Sequence, residues 1–268
     1  REAQYEDLTV IAIVTAGVGG NAARIGDPAF FHEKQGEVIE IPKGTINTIL
    51  IIDGHLPEGT MARAVVTATE AKTAALQELG IASVYSHGLA TGTGTDETVI
   101  VSNPQAKNTY RFAGKHSSLG ELIGCVVRDA VKEGLKNHAN LDARQQFSLT
   151  KRLGRFGVTK EKILKRVNAI AKEKGWNVSE EKFESFDHDP DHVSKAVLYA
   201  HLLDQYQWEA LPYEVVKKEC MRLGKQMAQQ EDFETKAFFW EDKKRIEQLS
   251  RFFIEACANK LVYGENNS

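Results

Sequence analysis

Between Val14 and Gly124 the chain repeatedly spends Gly, Ala, Thr and Asn where a packed core would use Leu and Val. The stretches are Thr-Ala-Gly-Val-Gly-Gly-Asn-Ala-Ala-Arg (15–24), Gly-Thr-Ile-Asn-Thr (44–48), Ala-Thr-Glu-Ala-Lys-Thr-Ala-Ala-Leu (68–76), Ala-Thr-Gly-Thr-Gly-Thr-Asp (90–96) and Gly-Lys-His-Ser-Ser-Leu-Gly-Glu-Leu (114–122). Such residues leave backbone amides and short hydroxyls accessible to a ligand. This half therefore has to fold round a polar-lined binding or catalytic surface.

Local patterning predicts the elements that carry it. Leu8–Thr15 is a β-branched run ending in Ala-Gly, a strand entering a glycine loop. Val38–Ile41 reads as a short strand stopped by Pro42, and Thr45–Asp53 as another. On the latter Thr45, Asn47 and Ile49 share one face. Thr60 is a suitable N-cap for a helix to Leu79 with Gly80 as its stop. Glu97–Ser102 reads as a strand with Thr109–Ala113 as its hairpin partner. Ser117 or Ser118 caps a helix to about Lys136, Glu121 having the capping-box spacing from Ser118.

Past Asn140 the period changes to that of helices. Ile163, Leu164, Val167, Ile170 and Ala171 form one stripe over Lys160–Lys174, with Gly175 after it. Asp191 is placed to cap a second helix, Pro212 precedes a third, and a fourth runs through Phe238, Phe239, Ile246, Leu249, Phe252, Phe253 and Leu261. The fold class is therefore α+β: a mixed sheet with packed helices over 1–140, followed by an all-helical domain over 141–268.

Composition narrows the function classes. Of 268 residues 42% are hydrophobic and 26% charged, and no apolar run reaches the roughly 18–20 residues that span a bilayer. A net charge of −3 argues against non-specific nucleic-acid binding by the whole chain. Cys125, Cys220 and Cys257 form no CxxC pair and read as buried thiols, which suits a reducing cytoplasm. The chain begins at Arg1 without a Met, so an upstream segment is expected to be missing.

In this order the five motifs resemble the adenosylcobinamide amidohydrolase (CbiZ) family. The resemblance covers roughly residues 10–136. It implies a corrinoid-salvage enzyme that hydrolyses the amide between a corrin-ring propionate and aminopropanol, leaving adenosylcobyric acid. It also implies a small-molecule corrinoid as the partner and no membrane. Within it Asn21, Arg24 and Asp27 belong to the first motif and Lys115 and His116 to the last, whereas His87 stands where a small residue is expected. Family members usually carry a further segment ahead of the first motif. The helical tail resembles no family.

The residues admit other readings. Gly17-Val-Gly-Gly-Asn-Ala22 fits G-x-G-x-x-A after a strand, with Glu40 near the place of a ribose-binding acid. However, Gly26-Asp27-Pro28 breaks the helix that a dinucleotide site requires. Cys125, set among Leu122, Val126 and Val127, is a poor nucleophile, and no Gly-x-Ser-x-Gly elbow is present. An activated water or a threonine hydroxyl, Thr45 or Thr95 first, remains.

Glu70 is the best-placed carboxylate to activate either, because its i±3 and i±4 neighbours are Val66, Thr67, Thr73 and Ala74 and none is basic. Thr91, Gly92, Thr93, Gly94 and Thr95 can present backbone N–H groups as a nest ending in Asp96. His116 sits just ahead of a helix N-terminus, where the dipole favours the neutral imidazole that acts as a base. Glu70, Asp96 and His116 are thus the catalytic candidates. Asn21, Arg24, Asp27, Thr45, Asn47, the Thr91–Thr95 loop and Lys115 are the substrate-binding ones.

Catalysis should require neither a metal nor a nucleotide cofactor. Asp187-His-Asp-Pro-Asp-His192, with His201 downstream, offers metal-ligand types, yet an acidic helix start explains it equally well. Nine basic residues over 151–174 read as a solvated helix face. The rival functions are a non-catalytic corrinoid-binding or regulatory protein and a nucleotide-binding protein using the Gly17–Ala22 loop.

Overall fold

The computed structural model describes residues 1–29, 43–172, 178–230, 233 and 244–264. Its contacts divide the chain into two units, Arg1–Gln145 and Gln146–Ser268.

The first unit is a mixed four-stranded sheet with helices on one face. The strands β1 (Glu2–Tyr5), β2 (Leu8–Gly17), β4 (Thr45–Ile52) and β6 (Glu97–Ser102) lie in the order β1-β2-β4-β6. β2 runs antiparallel to both β1 and β4, and β6 runs parallel to β4. A two-stranded ladder, β3 (Ala22–Ala23) with β5 (Gly92–Thr93), ties the loop after β2 to the loop before β6. Helices α1 (Glu58–Leu79) and α2 (Ser118–Ala139) pack on each other, α2 against β2 and α1 against β6.

Alternation along the strands decides which face α1 and α2 cover. Leu8, Val10, Ala12, Ile46, Leu50 and Ile52 are buried with Ala64, Ala68, Ala75, Ile123, Val127 and Val131. Ala at 64, 68, 71 and 75 keeps this side of α1 thin, so the helix lies close to its neighbours. On the opposite face the register aligns Ile13 with Ile49 and Val99, and Thr15 with Asn47 and Glu97. There Ile13 is 53% exposed, Ile49 42% and Val99 52%, so this face carries an apolar row that α1 and α2 leave open.

Several boundaries differ from the sequence expectation. α1 begins at Glu58 after Pro57, and Thr60 lies buried inside its first turn instead of capping it. A proline fixed at φ −57° already sets the chain's entry into the helix. Thr109–Ala113 forms no strand; only a bridge from His55 to Thr109 lies there. β6 takes its partner from β4 instead, which sets its half-buried side chains, Ile100 among them, toward the core beneath α1. Ser117 is the cap of α2, its Oγ accepting from the Gly120 N–H at 3.1 Å, so Glu121 falls one position past the capping-box spacing. The strand expected at Val38–Ile41, with Glu40 and Pro42, lies outside the described residues, as do Gly175, Phe238 and Phe239.

The second unit contains α3 (Leu149–Leu153), α4 (Lys160–Lys172), α5 (Glu180–Asp187), α6 (Pro190–Gln207), α7 (Tyr213–Ala228) and α8 (Arg245–Tyr263). They enclose Phe183, Tyr199, Leu203, Phe252 and Phe253. Tyr199 donates its hydroxyl to the Leu249 carbonyl at 2.7 Å. Arg155 grips Asp204 with two 2.6 Å bonds where both side chains are buried, the bidentate geometry a buried ion pair needs. Asp189, and not Asp191, caps α6, and Pro190 occupies its first turn, where a missing N–H costs nothing.

Two of the three cysteines are buried. Cys125 is exposed, contrary to expectation, because its position on α2 faces away from Ile123 and Val127. Burial pushes Cys220 up to about 12 and Cys257 well above the ordinary thiol value. Among the described residues no helix is long and apolar enough to cross a membrane.

Candidate functional site

The Thr91–Asp96 loop closes on its own carboxylate. Asp96 Oδ1 accepts from the Ile46 N–H at 2.8 Å and from Thr93 Oγ1 at 2.6 Å. Its Oδ2 accepts from the Thr93 N–H at 2.9 Å and from Lys72 Nζ at 2.5 Å. Four donors fill the acceptor positions of one carboxylate. The alternating Gly and Thr do build an anion cradle here, and the anion in it is Asp96. Gly92 is required by this closure: a Cβ there would stand 2.4 Å from Asp96 Oδ2 and 2.9 Å from Lys72 Nζ.

The neighbouring loops are stitched to it. Thr45 donates its hydroxyl to the Thr95 carbonyl at 2.7 Å, and Thr95 Oγ1 donates to the Gly44 carbonyl at 3.0 Å. Thr45 Oγ1 also stands 3.3 Å from Asn47 Oδ1 on the open face of β4. Gly44 holds φ at 138°, which an L-side chain rarely adopts. Asn21, fully buried, donates Nδ2 to the same Gly44 carbonyl at 2.9 Å. The Ile25 N–H donates to Thr91 Oγ1 at 2.9 Å, and Thr73 donates to the Thr91 carbonyl at 3.1 Å.

Together these loops and one side of α1 enclose a cavity of about 540 Å³. Asn21, Arg24, Asp27, Thr91, Gly92, Thr93 and Gly94 line it, with Thr69, Lys72, Thr73 and Tyr85. A volume of that order takes a drug-sized group. Asp27 is the carboxylate that lines it, and Oδ2 accepts from the Arg24 N–H at 2.8 Å and from Ser83 Oγ at 2.6 Å. Burial pushes the Asp27 carboxyl up. Hydrogen bonds from Ser83, Ser86 and the Arg24 amide, with the Arg24 charge, together outweigh it and hold the group below its ordinary value.

The remaining candidates lie elsewhere on the unit. Arg63, Phe112, Gly114, Lys115, His116 and Ser117 line a separate cleft. Glu70, free of local partners in sequence, is paired tertiarily there: Lys115 Nζ is 3.0 Å and an Arg63 nitrogen 3.9 Å from its carboxylate. Both Lys115 and Glu70 are well exposed, so the pair contributes little to stability. Glu70 precedes Lys72 by two residues, about 200° of helix, which turns it away from the Asp96 cavity. Among the described residues no hydrogen bond or ion pair joins Glu70 or His116 to Asp96.

Sequence reasoning passed over Lys72, Tyr85, Ser83 and the two helix threonines. One signal was present: Thr69, Lys72 and Thr73 repeat at i, i+3, i+4 and interrupt a helix otherwise faced with alanine. The Gly17–Ala22 loop is followed by the strand β3 and not by a helix, so among the described residues the helix that a dinucleotide site requires directly after the glycines is absent.

In the second unit Asp189, Asp191 and His192 bring ligand atoms within 4.8 Å of one another. Asp189 is committed to capping α6 and Asp191 to Lys195. Asp187 is buried and accepts from Ser148 Oγ and the Thr150 N–H, which fixes the start of α3. These carboxylates are thus engaged as helix-start and ion-pair groups.

The sequence model of adenosylcobinamide amidohydrolase (CbiZ) matches residues 1–143, which is the whole of the sheet-and-cavity unit apart from its last two residues. Over 143 residues the chain is 42% identical to an uncharacterized protein of Methanocaldococcus jannaschii, covering 49% of this chain and 55% of that one. Over 139 residues it is 31% identical to the adenosylcobinamide amidohydrolase of Methanosarcina mazei, covering 49% and 58%. The chain thus spans a little over half the length of these curated relatives. No solved structure matches it.

Proposed function

The chain belongs to the adenosylcobinamide amidohydrolase family, and from that premise we propose that its N-terminal unit hydrolyses the aminopropanol amide of adenosylcobinamide to adenosylcobyric acid. The supporting observation is the cavity itself: residues from the first, third and fourth small-residue motifs converge on one open-mouthed cavity, where a few polar groups stand among apolar lining. At about 540 Å³ it is sized for the arm that bears the scissile amide and its rim neighbours, with the macrocycle outside.

Amide hydrolysis needs a positioned nucleophile, stabilisation of the developing oxyanion and a proton for the leaving amine. Asp27 is an ionised acceptor in the cavity, suited to orienting a water. Asn21, Thr93 and Gly94 form the wall behind it, the Thr93 N–H and hydroxyl being held by Asp96 and the Asn21 Nδ2 by the Gly44 carbonyl. Asp96 serves as the anchor that fixes the loop and Lys72, since its acceptor positions are occupied. Thr45 and Thr95 brace the loop through the Thr95 and Gly44 carbonyls, and Asn47 stands beside Thr45 on the open face of β4. Arg24 lines the cavity, within reach of charged or polar substituents of a large ligand, and the cleft at Lys115 and His116 is a second polar surface of the same unit.

The test is to incubate the chain with adenosylcobinamide and assay free aminopropanol by amine derivatisation. Stoichiometric release supports the reading. Tight corrinoid binding with no release would instead favour a corrinoid-binding or regulatory role.

A further inference from the structure

We propose that Lys72 is a catalytic residue of this site: its ammonium donates to the oxygen of the scissile carbonyl as negative charge develops there, and then to the carboxylate of the acid product. The inference rests on the hydrolase reading above and adds to it the group that recognises the reacting atom.

Lys72 reaches from the middle of α1 over Gly92, in the one space a glycine leaves, and its side chain is only 14% exposed. Asp96 is its one hydrogen-bond partner among the described residues, at 2.5 Å. An ammonium carries three N–H groups, so two are left for the cavity that Lys72 lines. Donors left unmade in a shielded place are costly, and a ligand or water must meet them.

The counter-ion is itself immobilised. Asp96 is fixed by two backbone amides and a threonine hydroxyl, so it cannot follow the lysine or swing into the cavity. A cation held this way is preorganised: it needs no rearrangement when charge appears beside it. Glu70 and His116 are engaged at or line the other cleft, and the carboxylate that lines the cavity, Asp27, has the wrong sign for an oxyanion.

The step balances without a further reagent. The oxygen of water bonds to the carbonyl carbon, and the C–O π pair moves onto the oxygen that faces Lys72. The C–N bond then breaks with its pair going to nitrogen, which takes both protons of the water and leaves as an ammonium. The other product is a carboxylate, and Lys72 keeps its proton throughout.

Two corrinoids that differ only at the reacting group separate this role from a structural one. Equilibrium dialysis of the full chain with adenosylcobinamide and with adenosylcobyric acid gives both affinities, and amine release gives turnover. Lys72→Met should lower kcat by about 10²–10³-fold, the cost of one oxyanion donor. It should weaken the acid at least about tenfold while the amide stays within about threefold. Lys72→Arg keeps the cation and the pair with Asp96, so it guards against a folding defect. Its flat donor fork should retain acid affinity yet lower turnover at least about tenfold.

A lysine that only ties α1 to the loop would lower the melting temperature and leave the acid-to-amide affinity ratio unchanged. That outcome overturns the assignment, as does near-full turnover in folded Lys72→Met or Lys72→Arg. If the wild type binds neither corrinoid and releases no aminopropanol, the hydrolase reading falls and the lysine's role with it. If the wild type turns over and Lys72→Met matches it, the lysine assignment alone falls.

Discussion

Replacing Asp96 by Asn tests whether this carboxylate is a structural anchor or an available base. The amide is nearly isosteric, but its NH₂ can satisfy neither the Thr93 N–H nor Lys72, which both donate to Oδ2. A largely buried ammonium is then left without its counter-charge. Breaking a buried pair from one side costs about 3–5 kcal/mol, a large part of the roughly 5–15 kcal/mol that holds a domain together.

Native-state hydrogen exchange reads this where it acts, in amides of α1 and β4. At about 1.4 kcal/mol per tenfold, globally exchanging amides there should lose about two orders of magnitude of protection or more. Trp176, Trp208 and Trp240 all come after Gln145 in the sequence, and Trp208, at the end of α6, makes tryptophan fluorescence in the same samples a separate reporter of the second unit. The double variant Asp96→Asn with Lys72→Met should cost less than the sum of the two singles by about 0.5–3 kcal/mol, since the second change removes the stranded charge. Protection within threefold of wild type, or strict additivity, would refute the anchoring argument and return Asp96 to the list of bases.

Other outcomes follow from the same geometry. In the native chain one thiol, Cys125, should react with a disulfide reagent at pH 8, and all three should react in denaturant; reaction of Cys220 or Cys257 in the native state would contradict their burial. Leu50→Ala should destabilise by about 2–5 kcal/mol and Val99→Thr by less than about 0.5 kcal/mol, because neighbouring strands present these side chains to opposite faces; equal losses in urea melts would mean the open face is covered. The Asp27 carboxyl is depressed in the folded state, so its contribution is present above the ordinary carboxylate range and lost as pH falls through the folded value. The stability gap between wild type and Asp27→Asn should therefore hold from pH 7 to about 5 and close below about 4, and a gap that widens in acid would have the wrong sign.

The sheet was legible where local pattern and burial agree. Leu8–Gly17 is a β-branched run ending at a glycine, and Asn47 shares the face of Thr45 and Ile49 as period-two alternation requires. β1 was not, because Glu2–Tyr5 is a polar edge strand with no inward hydrophobic pattern. The hairpin expected after Ser102 failed for a related reason: β6 pairs in parallel with a strand some fifty residues earlier, and local turn signals carry nothing about such a partner.

The site shows the same divide. Asn21 and Thr91–Gly94 were visible within small-residue motifs, and Asp27 through the family resemblance. Lys72 was not, since a lysine on a helix ordinarily points to water; it becomes part of the cavity only when the Asp96 loop folds over it. Glu70 looked solitary because Lys115 and Arg63 reach it from outside its i±4 neighbourhood.

The measurement closest to the central claim is a single turnover of adenosylcobinamide by the full chain in ¹⁸O-water, with both products weighed by mass spectrometry. Amide hydrolysis predicts equimolar aminopropanol and an acid corrinoid carrying one ¹⁸O in its new carboxylate. Recovery of intact adenosylcobinamide from a chain that has bound it would contradict the account.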